Sequence, residues 1–143
     1  MHGRVIAVIV AALVMPAASA QAAPFNAKLK APTHSPKAGK LWPITVTARS
    51  NSGKALRATA TYQFVYNGSV VATRWPSPKA PASSRCSKEG NCRKTPYPFT
   101  GRLRDPTFQW PARAVGIDLT FRVVVAVKGM GHVNLDYKVR VHR

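Results

Sequence analysis

The sequence predicts an all-β sandwich of about seven to eight short strands. Apolar and polar residues alternate with period two in one segment after another, and Asn-Gly, Gly-Met-Gly and Asp-Pro turn signals separate those segments. Beyond the first two dozen residues, no stretch repeats its apolar positions at helical spacing. A length of 143 residues allows one domain with a core of ordinary size.

The N-terminus reads as a signal-peptide helix over residues 1–23, ahead of a domain over residues 24–143. A short basic start ending at Arg4 precedes an apolar run from Val5 to Met15, then Pro16 and small residues. Ala18-Ser19-Ala20 and Ala20-Gln21-Ala22 both present the small-x-small pattern that a signal peptidase reads. An apolar helix of that length spans about 16 Å, well short of a ~30 Å hydrocarbon core. The expected protein is therefore secreted, extracellular or periplasmic.

Strands follow in order. Phe25, Ala27, Leu29 and Ala31 form one apolar row, Trp42, Ile44, Val46 and Ala48 a second, and Ala58 to Tyr66 a third. Asn67-Gly68 then predicts a two-residue hairpin, because both residues tolerate the positive φ of a type I′ turn. The chain returns from Val70 to Trp75. Tyr97–Leu103 and Thr107–Trp110 read as two shorter strands around an Arg104-Asp105-Pro106 turn. Rows from Ile117 to Val127 and from Val133 to Val141 close the chain; with the turn centred on Met130, position 124 faces 136. This strand count makes an immunoglobulin-like or fibronectin-like sandwich the natural architecture, with a closed barrel as the alternative.

Pro36-Lys-Ala-Gly39-Lys-Leu-Trp-Pro-Ile44-Thr-Val46, followed by Gly53-Lys-Ala-Leu56, resembles the opening strands of secreted bacterial immunoglobulin-like modules, the copper-associated YtkA-like modules among them. The resemblance covers the first third of the mature chain. It implies the fold and carries over no functional residue.

The long loop over residues 75–98 holds five prolines and the basic residues Lys79, Arg85, Lys88, Arg93 and Lys94 against Glu89. Loops of this length tend to be functional or disordered. Cys86 and Cys92 lie within it, and in an exported protein two cysteines most simply pair with each other. The small ring would contribute about 2–3 kcal/mol at most and pin the loop tip locally. It would present Arg85, Lys88, Arg93 and Lys94 as a candidate anion-binding set, or simply protect a solvated insertion. Trp75, at the loop's start, is the candidate surface aromatic, whereas Trp42 and Trp110 belong to inward rows.

Lys and Arg total 22 against 4 Asp and Glu, so the formal net charge is +18. Without Arg4 the mature chain carries 21 − 4 = +17. Such a field attracts polyanions. The partners that fit are an anionic cell-envelope polymer or another exported protein; nothing in the sequence matches a nucleic-acid-binding module.

The sequence assigns no catalysis and no cofactor. Glu89, Asp105, Asp118 and Asp136 fall on a loop, a turn and two outward strand faces, with Asp118 and Asp136 beside Arg122, Lys138 and Arg140. No nucleophile elbow, phosphate-cradling glycine loop or His-Glu-x-x-His motif occurs. No metal site is assigned either. In immunoglobulin topology His34 and His142 come to the same end of the sandwich, and two imidazoles without a third ligand make at best a weak copper site. The expected function is a non-catalytic binding module with a basic surface; docking by strand edges and weak copper handling are the alternatives.

Overall fold

The computed structural model describes residues 23–81, 86 and 93–143. Among the described residues the strands are β1 (Asn26–Lys30), β2 (Ile44–Arg49), β3 (Arg57–Tyr66), β4 (Ser69–Arg74), β5 (Tyr97–Thr100), β6 (Arg102–Asp105), β7 (Asp118–Val127) and β8 (Gly131–Arg140). A single 3₁₀ turn at Ala112–Ala114 precedes β7. No described helix is long and apolar enough to cross a membrane. All but the last residue of the expected signal peptide lies outside the described residues.

The strands pair antiparallel in two sheets, one ordered β1-β2-β6 and the other β4-β3-β7-β8, with β5 beside the start of β3. This is the expected all-β sandwich. Alternation decides which side faces in. Ile44, Val46 and Ala48 of β2 are buried between outward Thr45, Thr47 and Arg49, and β7 buries Phe121, Val123, Val125 and Val127 in the same way. Between the sheets Trp42, Tyr62, Phe108, Trp110 and Phe121 meet edge-on or tilted, with ring centroids 5.0–5.9 Å apart. Such aromatic pairs add to the large apolar area they bury.

The Asn67-Gly68 hairpin forms as expected, with φ of 48° and 79°. The β7–β8 register differs from expectation: 124 faces Asn134, not Asp136. Met130 donates to the Val127 carbonyl at 3.0 Å and Gly129 takes the positive φ of 79°, so the turn centres one residue earlier. A one-residue shift of the centre moves partners by two, and the faces are preserved.

Tyr97–Leu103 is two strands, not one. At Gly101 the chain leaves β3 and crosses to β2. The Gly101 N–H donates to the Leu56 carbonyl and its own carbonyl accepts from Ala48, both at 2.9 Å. Its φ is 71°, and an added Cβ would stand 2.8 Å from the Ala55 Cβ, so the corner needs glycine. The expected Thr107–Trp110 strand reduces to a single bridge between Leu41 and Gln109.

Asp105 is the largest departure. It is the last residue of β6, only 2% exposed, rather than part of a solvent-facing turn. Its carboxylate accepts from the Tyr62 hydroxyl at 2.8 Å, the Thr107 hydroxyl at 2.8 Å and the Thr107 backbone N–H at 3.0 Å. Tyr62 lies on β3 and Asp105 on β6, so this bond ties the two sheets through the core. Burial first, then the charge and hydrogen bond of Asp105, push the Tyr62 hydroxyl well above its ordinary pKa.

Candidate functional site

The outer face of the three-stranded sheet is built from three strands of modest length. On β1, Lys28 and Lys30 point out because Ala27 and Leu29 point in. On β6, Arg102 and Arg104 point out because Leu103 and Asp105 are buried. Between them β2 exposes Thr45, Thr47 and, at its end, Arg49. The registers align these residues in two rows, Lys28–Thr47–Arg102 and Lys30–Thr45–Arg104.

Strand spacing places the two members of each row about 10 Å apart across β2, and neighbouring rows about 7 Å apart along the strands. Four cations thus frame a pair of threonine hydroxyls. None of the four makes an ion pair among the described residues. Arg49 extends the face, and its Nη1 donates to the Gly53 carbonyl at 3.3 Å. A shallow groove beside it is lined by Asn26, Lys28, Thr47, Arg49, Ser50 and Ser52. The arrangement supplies point charges from Lys, fork-shaped donors from Arg and neutral hydroxyls between, which suits a chain of carboxylates, phosphates or sulfates.

The outer face of β7 and β8 is different. Arg122 meets Asp136 through two bonds of 2.7 and 3.0 Å, and Arg140 meets Asp118 at 2.8 Å. These are two of the pairings expected from the sequence. The Arg122 hydrogen bonds hold the Asp136 carboxyl below, and its own guanidinium above, their ordinary values.

In the loop over 75–98, Arg85, Lys88 and Cys92 lie outside the described residues. Cys86 is half-buried, and no free cysteine occurs among the described residues. Arg93 folds back: its guanidinium carbon sits 5.0 Å from the Tyr97 ring centroid and Nη2 donates to the Pro96 carbonyl at 3.3 Å. Lys94 is exposed, and Trp75 is half-buried.

His34 and His142 come to one end of the sandwich. Arg140 N–H donates to the His34 carbonyl, His142 N–H to Pro36 and Ala38 N–H to the His142 carbonyl, at 2.8–2.9 Å, so residues 34–38 run parallel to the end of the chain. The His34 ring stacks on Tyr137 at 3.9 Å, and Nδ1 donates to the Lys138 carbonyl at 2.6 Å, since a carbonyl can only accept. Among the described residues no three His, Cys, Asp or Glu side chains gather as a metal site would need.

Sequence reasoning singled out the loop and missed Arg102 and Arg104 as partners of Lys28 and Lys30. Alternation from Leu103 carried part of the signal; the β2–β6 pairing did not show. Comparison of the chain with family models, with curated proteins and with solved structures finds no match.

Proposed function

We propose that this chain is an exported, non-catalytic immunoglobulin-like module that holds an anionic polymer of the cell envelope on the outer face of its three-stranded sheet. The observation that carries the reading is the frame of Lys28, Lys30, Arg102 and Arg104 around Thr45 and Thr47, with no carboxylate exposed on β1, β2 or β6. The N-terminal order of basic, apolar and small residues supports export, and the sandwich suits the family of secreted modules that residues 36–56 resemble. In this reading Cys86 pairs with Cys92 within the loop, where Lys94 and its neighbours add diffuse attraction.

Binding of this kind releases counterions and weakens steeply with salt. Mature protein incubated with its own envelope fraction should be retained at ~50 mM salt and largely released at ~200 mM. Retention that ignores salt would favour a protein–protein interface and reject the reading. Mass spectrometry of the exported form should find an N-terminus between Gln21 and Pro24; a membrane-bound form keeping Met1 would reject export.

A further inference from the structure

An apolar cavity of about 240 Å³, sharing no lining residue with the cationic face, opens between the β4 edge and the segment leading into β7. Phe64, Phe108, Trp110 and Leu119 form its wall. Two cations, Arg74 and Arg113, line the same cavity, and neither meets a carboxylate among the described residues. Arg74 donates one Nη to the Thr73 carbonyl at 2.8 Å, which leaves its other donors available. Trp110 is 1% exposed, and its indole N–H has no acceptor among the described residues.

The edge beside the cavity is shaped to match. Val65 pairs with Val70 and Phe64 with Ala72, so Val71 is an extra residue, a β-bulge. The bulge turns Val71 outward, 57% exposed, at the cavity mouth, across from Ile117 at 37%. An interrupted edge is a poor template for adding a strand. It leaves a pocket with an apolar wall and a doubly cationic rim, smaller than the ~300–1,000 Å³ of typical small-molecule sites.

We propose that this cavity binds a small, soluble amphiphilic carboxylate: one short acyl chain or one aromatic ring, its body against Phe64, Phe108 and Trp110 and its carboxylate between Arg74 and Arg113. The apolar wall excludes water from the ligand body, and the two guanidinium forks match a planar carboxylate. The site is separate from the polyanion face and does not depend on it.

Calorimetric titration of the full chain with octanoate, octanamide and acetate tests it. Octanoate should saturate one site below its micelle-forming concentration, with octanamide and acetate at least about tenfold weaker. The double variant Arg74→Gln/Arg113→Gln should weaken octanoate at least about tenfold with an unchanged circular dichroism spectrum. Val71→Asp, at an exposed position, should do the same by placing a carboxylate at the mouth, and stands in if the double variant unfolds. Replacing Lys28, Lys30, Arg102 and Arg104 with Ser should leave octanoate binding intact. No saturation, equal binding of octanamide, or insensitivity to both cavity variants overturns the proposal. So does binding to anionic vesicles or an extended peptide through these residues in place of free octanoate.

Discussion

On the five-stranded sheet each outward aspartate stands directly across from an arginine, Arg122 from Asp136 and Arg140 from Asp118. On the three-stranded sheet the cross-strand neighbours of Lys28, Lys30, Arg102 and Arg104 are threonines. One face neutralises its charge locally and the other leaves it for solvent or a partner. The cost of doing so is small: cations ~7–10 Å apart repel by about 0.4–0.6 kcal/mol per pair in water. A sandwich held together from inside can carry that repulsion. Net charge alone therefore says little about where an anion would bind; what counts is which cations have no acid beside them.

The inside of the sandwich offers the largest effect. Asp105→Ala removes the carboxylate that bonds Tyr62 across the sheets and leaves the Tyr62 and Thr107 donors buried without an acceptor. Thermal or denaturant unfolding should show a loss of about 3–5 kcal/mol. A loss under about 1 kcal/mol would mean that the two sheets are not tied there. The same bond has a pH signature. The folded-state pKa of Tyr62 is raised, so its contribution is fully present below the ordinary tyrosine value of about 10 and is lost as pH rises through the raised value. Stability should therefore fall in alkali above about pH 10, and Tyr62→Phe should flatten that part of the profile.

Gly101→Ala comes next. The strand switch between sheets gives it a φ of 71° and a neighbour at 2.8 Å, so unfolding should show a cost of about 1–3 kcal/mol. A neutral outcome would show that the corner can relax.

How legible this was differs by level. The rows at 44, 46 and 48 and at 121, 123 and 125 followed directly from alternation, and Asn67-Gly68 from turn chemistry. Asp105 was misread because Asp-Pro is a turn signal, although the parity set by buried Leu103 already pointed it inward. The bulge at Val71 leaves no mark in a sequence of exposed valines. The cationic frame was only half visible: Lys28 and Lys30 are local, but their meeting with Arg102 and Arg104 depends on the long-range pairing of β2 with β6. The loop at 75–98 drew attention through composition, which does not reveal that Arg93 folds back onto Tyr97.

The smallest stability effect belongs to the neutralised face. Asp136 is 47% exposed on its side chain, so Arg122→Gln should cost no more than about 1 kcal/mol by denaturant titration. The folded-state pKa of Asp136 is lowered, so the pair stabilises above the ordinary carboxylate value and fades as pH falls through the lowered one. A cost of several kcal/mol would show that the surface pair matters more than its exposure allows.

The contrast between the faces is tested most directly by the salt dependence of binding to a defined polyanion, a short DNA duplex used only as a ladder of phosphates. Three variants each lack four cations: Lys28, Lys30, Arg102 and Arg104 to Ser on the three-stranded sheet; Lys37, Arg57, Lys128 and Lys138 to Ser elsewhere; and Arg85, Lys88, Arg93 and Lys94 to Ser in the loop. All three carry the same net charge. Each phosphate that is no longer neutralised should reduce the slope of log K against log salt by about 0.9. The sheet-face variant should release the equivalent of three to four phosphates, about 3 in slope, and the other two about 1 or less. Equal reductions in all three variants, or the largest reduction in the loop variant, would contradict the assignment of the cationic face as the binding site.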